Sequence, residues 1–178
     1  MSKFIRLKKN IDGSSEDKIT DVEISRVNQK LRFIFNAKDS CFFCPFSENN
    51  QELWHGDVVE VFIRYGEQIN TYYEFEIAPN GCIFFAQIHY SCGNFTFKPI
   101  DDFPCYTVSK MGKSYKVELI IDLEKLFNNK ILKNDDLFLN LFRIDGKNTT
   151  SPLRSALNPT LINNFHCPDK MVQLSTLI

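Results

Sequence analysis

The feature that most constrains this chain is a repeated alternation of apolar and polar side chains in short runs. In Lys30–Lys38, apolar residues occupy every second position from Leu31 to Ala37. The runs Asp57–Arg64 and Thr71–Ala78 show the same two-residue period. Because successive side chains of a β-strand point to opposite faces, this period predicts strands with a buried face.

Turn signals and further runs extend the pattern along the chain. A Pro-Asn-Gly sequence at 79–81 precedes the apolar run Cys82–Tyr90, and Asn-Gly between two such runs is a strong hairpin signal. A Met-Gly-Lys sequence at 111–113 predicts a second tight turn. Further strands are predicted at Tyr106–Met111, Ser114–Ile121, Leu137–Ile144 and Met171–Leu177.

Helix signals are confined to one short stretch, in which Asp122 is the N-cap and Glu124 to Phe127 follow. Strands at this spacing with so little helix predict an all-β fold, an antiparallel jelly-roll or immunoglobulin-like β-sandwich with one short helix. No repeat or linker divides the 178 residues. We therefore expect one domain over 1–178, with 1–18 as a candidate for a loosely ordered arm.

Composition narrows the classes of function. The chain is 43% hydrophobic and 24% charged, with a net charge of −1, so it has the balance of a globular protein and no field that would attract nucleic acid. No apolar run approaches the roughly 20 residues of a membrane span. The basic residues of Met1–Asn10 are not followed by an apolar segment, which predicts a cytoplasmic protein, or a secreted one only if a signal was trimmed.

Metal and cofactor signals are weak. Cys41 and Cys44 form a C-x-x-C without a second pair, and free thiols in a reducing compartment account for all six cysteines. The three histidines are dispersed and have no metal-ligand spacing. We expect no cofactor. Structural calcium remains open, with loop carboxylates as ligands: Asp101 and Asp102, or Asp135 and Asp136.

The segment Leu53–Gly81 holds the strongest candidates for a binding site. Trp54 stands at a loop-to-strand junction, where an indole face can lie against the CH groups of a sugar ring. Glu60 follows six residues later, and its carboxylate can accept two hydroxyl hydrogen bonds. The alternative is structural, with Trp54 capping the core and Glu60 paired to Arg64 or Arg143.

Three glutamates, Glu60, Glu74 and Glu76, allow an enzymatic interpretation. Glu74 and Glu76 share one strand face, and Glu60 could face them from a neighbouring strand. Paired carboxyls of this kind perform acid and base chemistry in glycosidases. Solvated acidic residues on an open sheet face are the alternative, and catalysis is the less favoured hypothesis.

The stretches L-W-H-G-D-V-V-E-V-F-I and Y-Y-E-F-E-I-A-P-N-G resemble the family 9-like carbohydrate-binding modules. So do L-N-L-F-R-I-D-G, S-A-L-N-P-T and N-F-H-C-P-D-K, in the same order toward the end of the chain. The resemblance implies a jelly-roll-like sandwich that binds mono- or oligosaccharides without cleaving them. Relatives are often joined to glycoside hydrolases, which would link the chain to carbohydrate catabolism.

In sugar-binding members two tryptophans clamp the sugar and a glutamate bonds its hydroxyls. Trp54 looks like the first tryptophan, and Glu60 keeps the expected spacing. The second aromatic position is Leu157 here, so half of the clamp is missing. Glu76 stands where a sugar-binding member carries a basic residue.

Other residues of the late motifs are also ligand-binding candidates. Arg154 could donate to hydroxyls, while Arg143 and His166 could either contact a ligand or hold the fold. The main alternative is a degenerate β-sandwich that serves as an interaction or structural domain, with a protein partner in the first case, and does not bind sugar. We expect a monomer. A haem-binding sandwich, with Met111 and a histidine as axial ligands, is less favoured.

Overall fold

The structure is a computed structural model that describes residues 2–39, 41–67, 69–146 and 152–178, without the side chains of 16–18. The strands in these ranges are β1 Ser2–Asn10, β2 Ser15–Val27, β3 Lys30–Lys38, β4 Val58–Tyr65, β5 Thr71–Ile77, β6 Ile83–Ser91, β7 Asn94–Pro99, β8 Cys105–Lys110, β9 Ser114–Asp122, β10 Leu137–Asp145, β11 Leu153–Ala156 and β12 Val172–Gln173. One α-helix, α1, spans Leu123–Leu126. Within the described ranges no helix is long and apolar enough to cross a bilayer.

All strand pairs are antiparallel, in the order β7-β6-β5-β4-β10-β11-β1-β2-β3-β9-β8, with β12 on β10. The β7-β6-β5-β4-β10 half packs on the β1-β2-β3-β9-β8 half, and β11 joins β10 to β1. The predicted all-β antiparallel sandwich with one short helix is confirmed.

The core between the two halves follows from the two-residue period. Val59, Val61 and Ile63 of β4 belong to one buried cluster with Phe33 and Phe35 of β3. Each of these side chains is at most 2% exposed. The alternation that predicted the strands therefore also identifies the residues that hold the two halves together.

The first half of the sandwich is covered on its other face as well, which we call the outer face. Val58 and Phe62 of β4, Phe84 of β6 and Phe142 of β10 form a second buried cluster there. Loop residues cover it, among them Leu53. A polar side chain on the outer face of β4 or β5 is therefore removed from water.

The N-terminal segment differs from expectation, because Ser2–Asn10 is strand β1 rather than a loosely ordered arm. β1 pairs with β2 and, at its end, with β11. Most of its side chains are exposed, including Phe4 at 73%, and only Leu7, with Ile5 packed against the same cluster, joins the core, so backbone hydrogen bonds hold much of this strand. The predicted strand Met171–Leu177 is reduced to β12.

Both predicted turns and the helix cap are confirmed. Gly81 and Gly112 have φ of +94° and +59°, a region that glycine adopts without strain. The side chain of Asp122 accepts a hydrogen bond of 3.2 Å from the backbone N–H of Lys125. These local signals were readable because each depends on a few adjacent residues.

Because Phe33 is fully buried between the halves, we expect the stability of the fold to depend strongly on it. Phe33→Ala should lower the free energy of unfolding by about 3–5 kcal/mol, because it leaves a cavity between the halves. Phe4→Ala, the same substitution at an exposed strand position, should change it by no more than about 0.5 kcal/mol. Urea unfolding of both variants measures this, and similar losses in the two would contradict the assignment of the core.

Candidate functional site

A cavity of about 250 Å³ lies over the outer face of β4, β5 and β6, and we call it the Trp54 pocket. Three glutamates line it, together with five aromatic residues, four other polar residues and one isoleucine. The glutamates are Glu60, Glu74 and Glu76, and the aromatic residues are Trp54, Phe84, Phe95, Phe97 and Phe165. The remaining lining residues are Arg154, Asn163, Asn164, His166 and Ile144. Residues of the sheet form its floor, and residues of the loops before β4 and after β11 complete it.

Trp54 is held by the short 3-10 helix that precedes β4. Its neighbour Leu53 is fully buried and anchors this helix on the outer face. Asp57 then accepts a 2.6 Å hydrogen bond from the backbone N–H of Gly146. At that contact a Cβ on Gly146 would lie 2.8 Å from the Cα of Gly56, so the two glycines allow the loops to meet.

The indole of Trp54 is part of an aromatic wall. It packs edge-to-face on Phe84 with centroids 5.4 Å apart, and on Phe97 at 6.2 Å. Phe84 is buried, whereas Phe97 is 46% exposed on β7. Trp54 thus packs on the outer-face cluster, as the structural alternative expects, but stays partly exposed and lines the pocket.

His166 belongs to the loop that closes another side of the pocket. Its ring stacks on Phe95 at 3.5 Å, and its Nδ1 shares a 2.7 Å hydrogen bond with the hydroxyl of Tyr72. Burial lowers the pKa of His166 to about 4, so the imidazole is neutral at physiological pH. Beside it, Phe165 stacks on Phe142 at 4.1 Å.

The floor brings three carboxyl groups together. Glu60 of β4 is paired directly with Glu76 of β5, and Glu74 lies two residues earlier on the same face of β5. Oxygen atoms of the three lie within 4.8 Å of one another. Glu60 and Glu76 are 1% exposed and Glu74 is 5% exposed.

Burial raises the pKa of all three carboxyls, since a charged group loses its hydration there. The pKa of Glu74 rises to about 8, although a hydrogen bond with Glu76 opposes the rise. The pKa of Glu76 rises well above its usual range, through burial first and then repulsion from Glu60 and Glu74. The cluster therefore holds protons at neutral pH.

Three oxygen atoms of this cluster have no hydrogen-bond partner within the described part of the chain: both carboxyl oxygens of Glu60 and Oε2 of Glu76. The structural alternative expected Glu60 to pair with Arg64 or Arg143, and neither pairs with it. The guanidinium carbon of Arg64 instead lies 4.1 Å from the centre of the Phe138 ring. Buried polar atoms without partners are uncommon in folded proteins, so a ligand is the natural partner here.

Arg154 provides positive charge at the pocket. Its Nη1 donates a 2.9 Å hydrogen bond to Oδ1 of Asn163, which ties β11 to the loop ahead of His166. Its charge also opposes the rise in the pKa of Glu60, after burial and the repulsion of Glu74. The guanidinium can therefore both donate to a ligand and stabilise an ionised Glu60.

Two predicted ligand residues lie outside the pocket. Arg143 is 1% exposed and donates to Asp39 at 3.0 Å and to the carbonyl of Lys38 at 2.7 Å. Leu157 packs against the core between the halves, and its N–H donates to the carbonyl of Leu141. Arg143 stands two residues after Leu141 on β10, so both side chains lie on the strand face that points into the core between the halves. Arg143 therefore points away from the outer face.

The other predicted ligand residues meet at the pocket: Trp54, Glu60, Glu76, Arg154 and His166. Glu74 also lines the pocket, although the sequence indicated it only as a candidate for catalysis. The aromatic residues of β7 were not among the predicted ligand residues. A signal for the latter existed, because Phe95 and Phe97 stand two residues apart in N-F-T-F-K and must share a strand face.

A second group of buried carboxylates lies elsewhere: Asp39, Asp57 and Asp145. Arg143 bonds to Asp39 and Asp145 at 3.0 and 3.4 Å, so this group has its positive partner within the chain. Three of the four loop carboxylates considered for calcium are also engaged: Asp101 with Asn50, Asp102 with Lys125 and Asp136 with the N–H of Lys133.

No protein-family model and no curated protein matches this sequence. Solved structures match its fold. A candidate carbohydrate-binding protein from Bacteroides uniformis superposes with a TM-score of 0.76 over 95% of this chain and 84% of its own, at 16% identity.

A family 9 carbohydrate-binding module from Caldicellulosiruptor kristjanssonii in complex with cellotriose gives a TM-score of 0.60 at 12% identity, over 89% of this chain and 74% of its own. A complex of a module of that family and organism with glucose gives 0.62 at 12% identity, over 89% and 76%. The chain has the fold of these modules.

The carboxyl cluster predicts that stability falls as pH rises. Between the usual glutamate pKa of about 4.3 and the folded value of about 8, Glu74 keeps a proton that the unfolded chain has released. His166 acts in the opposite direction, but only below about pH 6.5. The free energy of unfolding should therefore fall less steeply with pH in Glu74→Gln than in the unsubstituted protein. From pH 6.5 to 8 we expect the two slopes to differ by up to about 1.4 kcal/mol per pH unit.

Urea unfolding across that pH range measures the slope. Glu23→Gln, at a half-buried position of β2 away from the pocket, is the matched control and should keep the slope of the unsubstituted protein. Equal slopes for all three proteins would contradict a proton held on Glu74.

Proposed function

We propose that this protein binds a carbohydrate in the Trp54 pocket and does not cleave it. The observation that carries the proposal is the placement of a partly exposed indole beside buried carboxyl oxygens that have no partner among the described residues. Sugars present both complementary features, an apolar ring face and a set of hydroxyl groups.

Each contact has a physical basis. The face of an indole or phenyl ring packs on the CH groups of a pyranose, and Trp54 and Phe97 offer such surface. A buried polar group without a partner costs about 1–3 kcal/mol. Hydroxyls bound to Glu60 would remove that cost, and this part of the affinity is available to a sugar and not to an apolar ligand of similar size.

The size of the cavity and the fold support the same class of ligand. About 250 Å³ lies just below the roughly 300–1,000 Å³ of sites for drug-sized molecules, which suits a small ligand such as one sugar unit. The family 9 modules that share the fold were solved with cellotriose and with glucose. The missing second tryptophan is offset in this proposal by Phe95, Phe97 and the ring of His166.

Binding is favoured over cleavage by the position of the carboxyls. A glycosidase places an acid and a base or nucleophile on either side of the scissile bond. Here Glu60, Glu74 and Glu76 are neighbours on one sheet face. With their pKa values raised together, none is maintained as an ionised base at neutral pH. We accordingly expect no turnover of aryl glycosides.

Trp54 provides an internal probe, because it is the only tryptophan. Titration with glucose and with cello-oligosaccharides should shift its fluorescence emission in a saturable manner at millimolar or lower concentration. The expected affinity is modest, since the net gain per hydrogen bond is only about 0.5–1.5 kcal/mol. A panel of mono- and oligosaccharides without any saturable shift would favour the alternative of a protein-interaction domain.

Trp54→Ala should weaken binding at least about tenfold by calorimetry while the protein remains folded, since the ring contributes contact area and not the core between the halves. Phe4→Ala, far from the pocket on an exposed position of β1, should bind as the unsubstituted protein does. Unfolding of Trp54→Ala would instead show that the indole is a structural cap.

A further inference from the structure

The charge of the Trp54 pocket is unbalanced. Its described lining contains three carboxyl groups and one guanidinium, Arg154. Tyr72 on β5 and His166 in the covering loop also face the cluster, but both are neutral, since burial raises the pKa of the tyrosine and lowers that of the histidine. When ionised, the cluster therefore exceeds its positive partner by two charges.

The fold gains nothing from this arrangement. Glu60 and Glu76 are directly paired across β4 and β5, so ionising both would place like charges opposite each other, which destabilises a sheet. The buried carboxylates Asp39 and Asp145 differ from this cluster, because each forms an ion pair with Arg143. A buried carboxyl cluster that is left without such a partner is expected at a binding site.

The carboxyl oxygens without a hydrogen-bond partner indicate that a ligand of this pocket must supply hydrogen-bond donors. Both oxygens of Glu60 and Oε2 of Glu76 accept no hydrogen bond from any described residue. The two residues that carry them, Glu60 and Glu76, line the Trp54 pocket. A hydroxyl would donate one hydrogen bond to them, whereas an ammonium group donates three and also neutralises charge.

The remaining lining distinguishes an organic cation from a metal ion. Aromatic rings dominate it, including Trp54, Phe84 and Phe97. The faces of such rings attract organic cations, with tryptophan the strongest. A hard metal ion instead requires six or more oxygen ligands, including water, and rings cannot provide them.

We propose that the Trp54 pocket selects a sugar that carries a protonated amine, with the ammonium on the Glu60–Glu76 floor and the ring against Trp54. This inference rests on the proposed function and names the class of sugar for the same site. Arg154 would remain available for a hydroxyl of the same ligand.

The test is calorimetric titration at pH 6.5 with glucosamine, N-acetylglucosamine and glucose. The three share a pyranose ring, and only the first carries a positive charge. Glucosamine should bind at least about tenfold more tightly than either neutral sugar, because hydrogen bonds to charged groups are the stronger ones. Binding should also release protons from the cluster, which titration in buffers of different ionisation enthalpy detects.

Glu60→Gln keeps the shape of the side chain and removes its ability to ionise when an ammonium binds. It should abolish the preference for glucosamine over glucose, because an amide offers the ammonium no charge to pair with. Glu74→Gln serves as a second variant if the first fails to fold. Glu23→Gln on β2 is the matched control and should keep the preference.

The outcomes separate the two proposals. Equal affinity for glucose and glucosamine would overturn amine selection and leave carbohydrate binding in place. Binding of none of the three sugars, nor of cello-oligosaccharides, would overturn both. Displacement of glucosamine by millimolar calcium chloride, with calcium itself binding more tightly, would show a metal site and overturn amine selection.

Discussion

Burial of both faces of the β6-β5-β4-β10 layer is the constraint on which the site depends. One face packs on the other half of the sandwich, and loops cover the outer face. Any carboxyl on the outer face of β4 or β5 is therefore separated from water, and removing an ionised carboxylate from water is costly. Protons held on the cluster, and the affinity we expect for a ligand, both follow from this burial.

The same molecule shows two treatments of buried charge. Between the halves, Arg143 is surrounded by Asp39, Asp145 and backbone oxygen, so the charge is compensated within the chain. At the Trp54 pocket, Glu60 has no hydrogen-bond partner among the described residues and must use protonation or a ligand. The contrast is why we assign a structural role to the first group and a binding role to the second.

Much of the fold could be predicted because the two-residue period is a local signal. The bounds of β3 match the predicted run, and the parity of Glu60 on β4 and of Glu74 and Glu76 on β5 was readable from their neighbours. Strand β1 was missed because its side chains are mostly exposed and backbone pairing holds it.

The assembly of the site could be predicted only in part. Pairing of Glu60 with Glu76 depends on the register of β4 and β5, which the sequence pattern does not specify. The inward direction of Arg143, in contrast, follows from the parity of β10 and could have been predicted. Leu157 was assigned by resemblance alone, and its contact with the core depends on a loop path that no local pattern shows.

The most direct measurement is a crystal structure of the protein grown with a bound sugar, glucose or glucosamine. The account predicts that the ring lies against Trp54 and that a ligand oxygen or nitrogen lies within about 3.2 Å of a carboxyl oxygen of Glu60. A sugar bound instead in the cavity beside Phe103 and Lys125, with the Trp54 pocket unoccupied at saturating ligand, would contradict it.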